Sequence, residues 1–234
     1  MTQNSEELSS HISDIHIITA ESYSQSYCIA ENTHAQYAFV CQNDHQQQQH
    51  INLYFVVERN ASLCVEICSV AGDVIINIVC VLQGEYARAD IRGGHIARGN
   101  TKVQVTTQQR HKARYTQSSL LIHSVVDDYA QMQYAGTIYV EREAHNSVSS
   151  QYNKNIILSN NARVVSIPNL EVVPHDVQCF HGSSIGRFSA EQYMYAMARG
   201  LDEHSIRKLL LHAFFSPVFT HKQIMSMVQR NISI

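Results

Sequence analysis

Through most of the chain, apolar residues recur in short runs rather than at helical spacing. The runs cover residues 53–58, 63–67, 74–82, 103–107, 119–126, 137–140 and 155–158. Segments this short, with no amphipathic helix between them, predict an all-β core and exclude alternating strand–helix units. Turn chemistry falls between them at Ala71-Gly72-Asp73, Gly93-Gly94, Asp127-Asp128 and Ser159-Asn160-Asn161. Asn-Gly and Asp-Gly, the dipeptides of tight hairpins, do not occur. Instead there are polar corners such as Asn60-Ala61-Ser62, and Asn77 and Asn155 stand inside otherwise apolar runs, where they could ladder between stacked coils. A parallel β-helix is thus slightly favoured over a sandwich of hairpins.

Beyond residue 188 the period changes. Ser189 with Gln192 forms a capping-box signature, opening a helix that carries Tyr193, Met194, Met197 and Ala198 and ends at Gly200. Asp202 is placed to cap a second helix, with an apolar stripe of Ile206, Leu209, Leu210, Ala213 and Phe214. Pro217 suits the first position of a third helix bearing Val218, Phe219, Ile224, Met225 and Val228. Such helices could cap the open end of the β body, dock a partner, or do both. The expected organisation is a lead-in over 1–50, partly strand (16–19 and 37–41), a β-helix core over 51–188, and a helical subdomain over 189–234. The glutamine run 46–49, flanked by His45 and His50, is expected to be an exposed loop.

Charge sharpens the first boundary. Residues 1–50 hold six acids and no Lys or Arg, so they carry −6 of a total of −3. With 17 Lys+Arg against 20 Asp+Glu and only 16% charged residues, the chain does not bind polyanions by bulk charge. The stretch from Arg88 to Arg114 is locally basic (Arg88, Arg92, Arg98, Lys102, Arg110, Lys112, Arg114), yet only Tyr115 offers a stacking ring nearby. It reads as a solvated face or a site for an acidic protein, and nucleic acid is not expected. No glycine pattern cradles phosphate, so nucleotide chemistry would belong to a partner. The apolar run 74–82 is far below the ~20 residues that span a bilayer, and no basic leader opens the chain, so a cytoplasmic protein is expected. Six cysteines are too sparse for a disulfide scaffold and are expected to be mostly small core residues.

The segment 136–219 carries a resemblance. It reads Gly136-Thr137-Ile138-Tyr139-Val140, Glu143-Ala144, Ser150 to Asn155, Ser166-Ile167-Pro168-Asn169-Leu170-Glu171, Asp176 to Gly182, and Ala198-Arg199-Gly200. In this order and spacing it resembles the C-terminal core of the SufB/SufD family, subunits of the Suf iron–sulfur cluster assembly scaffold. Cys179-Phe180-His181-Gly182 is closer to SufD than to SufB, whose histidine is followed by an acid. The resemblance implies a right-handed parallel β-helix with a C-terminal helical region. It implies a heterodimer with a SufB-type chain, and the expected role is that of a non-enzymatic subunit; whether it forms a homodimer when alone stays open. It also implies a SufC-type ABC ATPase docked on the tail, where Tyr195, Arg199, Gly200, Leu210 and Phe214 are the candidate contacts. His181 would lie near the subunit interface and assist iron entry or cluster building; the cluster would be transient cargo, with no cofactor held stably by this chain alone. Family members are commonly longer, and His175 replaces the first of a usual acidic pair.

Residue chemistry adds to this. Cys179 and His181 are two apart on an expected strand, so both project from one face. Thiolate and imidazole suit iron or zinc, but two ligands from one strand leave a four-coordinate site open. Cys64 and Cys68 also share parity and are expected to pack. Glu143, Glu171 and Asp176 define no acid–base pair, and Ser183-Ser184 lacks the G-x-S-x-G elbow. Two further readings stand beside the scaffold: a β-solenoid or cupin-like metalloenzyme using histidines, although no H-x-H occurs, and a solenoid that only mediates protein contacts.

Overall fold

The computed structural model describes residues 15–43 and 47–232; the expected 46–49 loop lies partly outside them. Its strands form two sheets. One contains β1 (Ile15–Ile18), β3 (His34–Gln42), β5 (Ser62–Ala71), β7 (Arg88–Ala97), β9 (Gln117–Val126), β11 (Val148–Ile157) and β13 (Gln178–Gly186), stacked in that order. The other stacks β2 (Ser22–Ile29), β4 (Gln49–Val57), β6 (Val74–Leu82), β8 (Lys102–His111), β10 (Gln131–Val140) and β12 (Arg163–Val172). Every strand pair is parallel. Consecutive strands alternate between the sheets, which makes a parallel β-helix of about six turns. The composition break near residue 50 coincides with the start of β4, while β1 to β3 already belong to the same two sheets.

Alternation along each strand sends one set of side chains into the lumen. Phe39, Phe55, Val65, Ile67, Ile76, Ile91, Leu120 and Ile122 fill it and are almost fully buried. The first coils close with rings: Tyr27 stacks on Phe55 at 5.2 Å and lies 4.5 Å from Tyr37. Side-chain ladders join coil to coil at sequence separations of 25 to 31 residues, as in Asn77 to Asn52 (2.9 Å), Asn60 to Asn32 (3.0 Å) and Gln104 to Gln133 (2.9 Å). Asn77 ladders as the sequence suggested. At one corner Asn32, Asn60, Tyr86, Tyr115 and Asn146 all take left-handed backbone, with φ between 53° and 62°. For tyrosine this is strained. The rings of Tyr86 and Tyr115 stack at 5.0 Å and offset the strain.

Gly93-Gly94 is not a turn. Both residues lie inside β7, where bulk is the constraint: a Cβ at Gly94 would sit 2.3 Å from the Phe219 ring, and one at Gly93 would meet Ile122 at 2.6 Å. Phe219 occupies that space because the helical tail lies along the outer face of the seven-stranded sheet. Ala38, Val40, Cys68, Val70, Ile96 and Val125 of the sheet pack there against Leu211, Phe215, Val218, Phe219, Ile224 and Val228. The tail therefore covers the flank of the solenoid and does not cap its end.

The tail comprises α1 (Ala190–Ala198), α2 (Glu203–Phe215) and α3 (Lys222–Ile232). Ser189 and Gln192 form the reciprocal capping box, Gly200 has φ 84°, and Asp202 accepts from the Ser205 amide at 2.9 Å. Pro217 does not begin a helix. It follows the C-cap Ser216 of α2, where a residue without an amide hydrogen ends a helix, and Val218 and Phe219 are buried in the turn. The buried stripe of α2 is also rotated from the expected one: Ile206, Leu211 and Phe215 are buried, whereas Leu209 is 53% exposed. The anchor of α3 comes from β5. Fully buried Glu66 accepts from the Thr220 hydroxyl, from the Thr220 amide at 2.8 Å and from the His221 amide at 3.3 Å, at the entrance to the helix. His123 of β9 donates from Nδ1 to the Phe214 carbonyl (2.6 Å) and stacks on its ring at 4.5 Å, and Arg207 pairs with Asp127.

Candidate functional site

Because the tail lies on the flank, the last coil ends, among the described residues, in open strand edges. Arg163 donates its amide to Ala130 (3.0 Å) and Val173 to Val140 (3.1 Å), so the odd-numbered amides of β12 face β10 and the even-numbered positions, Pro168 among them, face outward. In β13 the Gln178 amide bonds Ser147 (3.0 Å), which leaves the amides of Cys179, His181, Ser183 and Ile185 on the free edge. Apolar side chains crowd this end: Leu170, Val172, Phe180 and Ile185 are all exposed. The pattern is one an edge strand normally avoids.

Cys179 and His181 lie on β13, in register with Ser149 and Gln151 of β11, so both belong to the lumen-facing row as their spacing predicted. Their surroundings differ. Cys179 is half-buried against Ile138, Val140 and Ala144, and burial pushes its thiol above the usual range despite a backbone hydrogen bond from Ser149. His181 is exposed at the end of the solenoid. Beside it, Ser183 donates to Ser166 (2.7 Å), which donates to Asn153 (2.8 Å) and so ties the last three strands together across the lumen. At the adjoining corner His145 bonds Asp176 at 2.9 Å, which lowers the Asp176 carboxyl below its ordinary range. Among the described residues no three His, Cys, Asp or Glu side chains converge on a point that could hold a metal ion.

The other expected residues are dispersed. Glu143, Glu171 and Asp176 do not form a common site, and Cys68 is buried under the tail. Cys64 lines a shallow groove of ≈ 470 Å³ with His34, Arg88, Asp90 and Ser119; burial first, and then the Asp90 charge, push its thiol up to about 11, which suppresses its thiolate. The basic stretch is split over the surface. Arg88 and Arg92 lie on one sheet, Lys102 and Arg110 on the other, and Lys112 and Arg114 at a corner; Arg92 is held by Asp90 at 2.7 Å and Arg110 by Glu141 at 3.6 Å.

On the tail, Tyr195 is 65% exposed with the Arg199 guanidinium 5.1 Å from its ring centre. Leu210 is half-buried, and Phe214 is engaged within the chain by His123. The outward apolar surface belongs instead to Met194, Tyr195, Met197, Leu201 and Leu209. No helix among the described residues is long and apolar enough to cross a membrane.

These features define a solenoid whose candidate chemistry sits at an open end, beside a flanking helical tail. The chain belongs to the family described as SUF system FeS cluster assembly, SufBD core domain, whose model matches residues 11–214. It is 27% identical over 168 residues to the iron-sulfur cluster assembly protein SufD of Bacillus subtilis, covering 69% of this chain and 38% of that protein. It is 27% identical over 133 residues to SufD of Escherichia coli, covering 57% and 31% respectively. A SufBD family protein of Synechocystis is 32% identical over 106 residues, 45% of this chain and 23% of that protein. The chain thus spans less than two-fifths of the length of each of these relatives.

Proposed function

We propose that this protein is a SufD-like, non-enzymatic subunit of a cytoplasmic iron–sulfur cluster assembly scaffold. It joins a SufB-type chain through the open end formed by β12 and β13, and docks a SufC-type ATPase on the exposed side of α1 and α2. Alone, it pairs with a second copy through the same end. The observation that carries this reading is the last coil, which no described residue covers, with backbone donors free among the described residues, exposed apolar side chains and an exposed imidazole on one edge. A partner strand added there would satisfy the edge amides and bury Phe180 and Leu170. His181, with Cys179 behind it, would then stand at the seam. Imidazole and thiolate supply two donors of the type that iron takes, and the partner supplies the rest of the coordination during transfer. Six unpaired cysteines suit a reducing compartment.

Anaerobic co-purification with candidate SufB-type and SufC-type chains, with iron and sulfide assayed, tests the proposal. A complex carrying iron and sulfide is the expected result. A complex without either supports the protein-contact solenoid instead, and no complex overturns both. In a reconstituted complex His181→Ala should leave folding intact, because the side chain is exposed, and reduce the cluster yield; an unchanged yield removes His181 from the scheme.

A further inference from the structure

The lumen changes character along the solenoid. On the inner face of the seven-stranded sheet, Ser69, His95, Ser124 and Asn155 are register partners in four successive strands, β5 to β11, and all four are almost completely buried. Ser69 Oγ and His95 Nδ1 are hydrogen-bonded at 2.9 Å. Further along the column His95 Nε2, Ser124 Oγ and Asn155 Oδ1 have no hydrogen-bond partner among the described residues. Both amide atoms of Gln151 and Oε1 of Gln109 are in the same condition in the same coils.

Two facts make this more than poor packing. Ser69 and His95 bond directly, whereas the next two steps of the column, His95 to Ser124 and Ser124 to Asn155, make no direct bond, and at a strand spacing of ~4.8 Å one water can bridge such a pair. The column also has an outlet: Asn155 Nδ2 donates to Asn153 Oδ1 (2.5 Å), which accepts from Ser166 (2.8 Å), which accepts from exposed Ser183 (2.7 Å) at the open end. Buried polar atoms in folded proteins are satisfied by protein or ordered water, and a water site needs two to four polar partners.

We propose that the lumen between β7 and β11 is a binding site for a single-file chain of water molecules that runs from Asn155 to His95, linked to the open end through the directly bonded side chains of Asn153, Ser166 and Ser183. The hydroxyl, amide and imidazole groups named here donate and accept without carrying charge, so the site takes water or another small neutral hydrogen-bonding molecule. The inference is independent of the scaffold reading, since it concerns the isolated chain.

Water-selective nuclear Overhauser spectroscopy on the full ¹⁵N,¹³C-labelled chain tests it. Expected are cross-peaks, of the sign that marks long-lived bound water, to the side-chain amide protons of Gln151 and Asn155 and to the carbon-bound ring protons of His95. Their absence, with normal cross-peaks at exposed amides, overturns the proposal. In Asn155→Leu, loss of the His95 cross-peaks supports entry through the open end, and their persistence overturns that route. The wild-type measurement decides the hydration itself even where the variant fails to fold.

Discussion

Acid should destabilise this protein well above the range where carboxylates titrate. Burial holds three imidazoles neutral: His95 is lowered to about 3, and His111 and His123 to about 4. For His123 the hydrogen bond to Phe214 opposes that shift without cancelling it. In the unfolded chain each ring titrates near 6.5. The unfolded state therefore binds more protons than the folded one between about pH 6.5 and the folded values, and stability falls as pH falls through that window. At about pH 5 each ring costs about 2 kcal/mol relative to neutral pH, and the three together about 6 kcal/mol. That is comparable with the whole stability of many domains, ~5–15 kcal/mol. Urea unfolding followed by circular dichroism at about pH 7.5 and about pH 5 measures it. With a slope of about 3 kcal/mol/M, the midpoint should drop by about 2 M. Replacing any one ring with glutamine should remove roughly a third of the pH dependence. Equal midpoints at the two pH values would refute the argument, because these rings would then be solvated or would titrate normally in the fold.

Other substitutions probe how the tail is held. Gly94→Ala forces a methyl into the Phe219 ring and should cost about 1–3 kcal/mol; hydrogen exchange should show lost protection in α2 and α3 with the coils unchanged, and uniform protection would sink the idea. Glu66→Ala strands the donors of Thr220 and His221 and should cost about 3 kcal/mol in thermal or urea unfolding, with Glu66→Gln milder; a wild-type midpoint for the alanine variant would contradict the anchor. Ser189→Ala removes one half of the capping box and should lower the helical signal of α1 with a cost of about 1 kcal/mol or less, since α1 is largely exposed; a cost as large as that at Glu66 would mean that α1 supports the body of the fold.

Elements were legible where the buried face wrote a simple pattern. β6, apolar except for Asn77 and bounded by Gly72-Asp73, matches the 74–82 run residue for residue. The caps at Ser189 and Asp202 were readable because they are local hydrogen bonds. β2, β7 and β12 were missed: Ser and Gln alternate with Tyr in the first, Gly93 and Gly94 interrupt the second, and the third is a half-exposed edge with Pro168 in it. Parity alone put Cys179 and His181 on one face. That this face ends the solenoid in the open was not legible, because it depends on where the tail packs, and Glu66 and Thr220, which direct that packing, lie 154 residues apart.

Pro168 has a bearing on how anything can be added to the last coil. Its imide points away from β10, so the ladder inside the fold loses nothing, while the outer rim of β12 lacks one donor at mid-strand. The rim of β13 has no such gap from Cys179 to Ile185. A chain extending the seven-stranded sheet can zip without interruption, whereas one extending the six-stranded sheet must tolerate an orphaned carbonyl, so the two rims of one doorway differ in how well they accept a visitor.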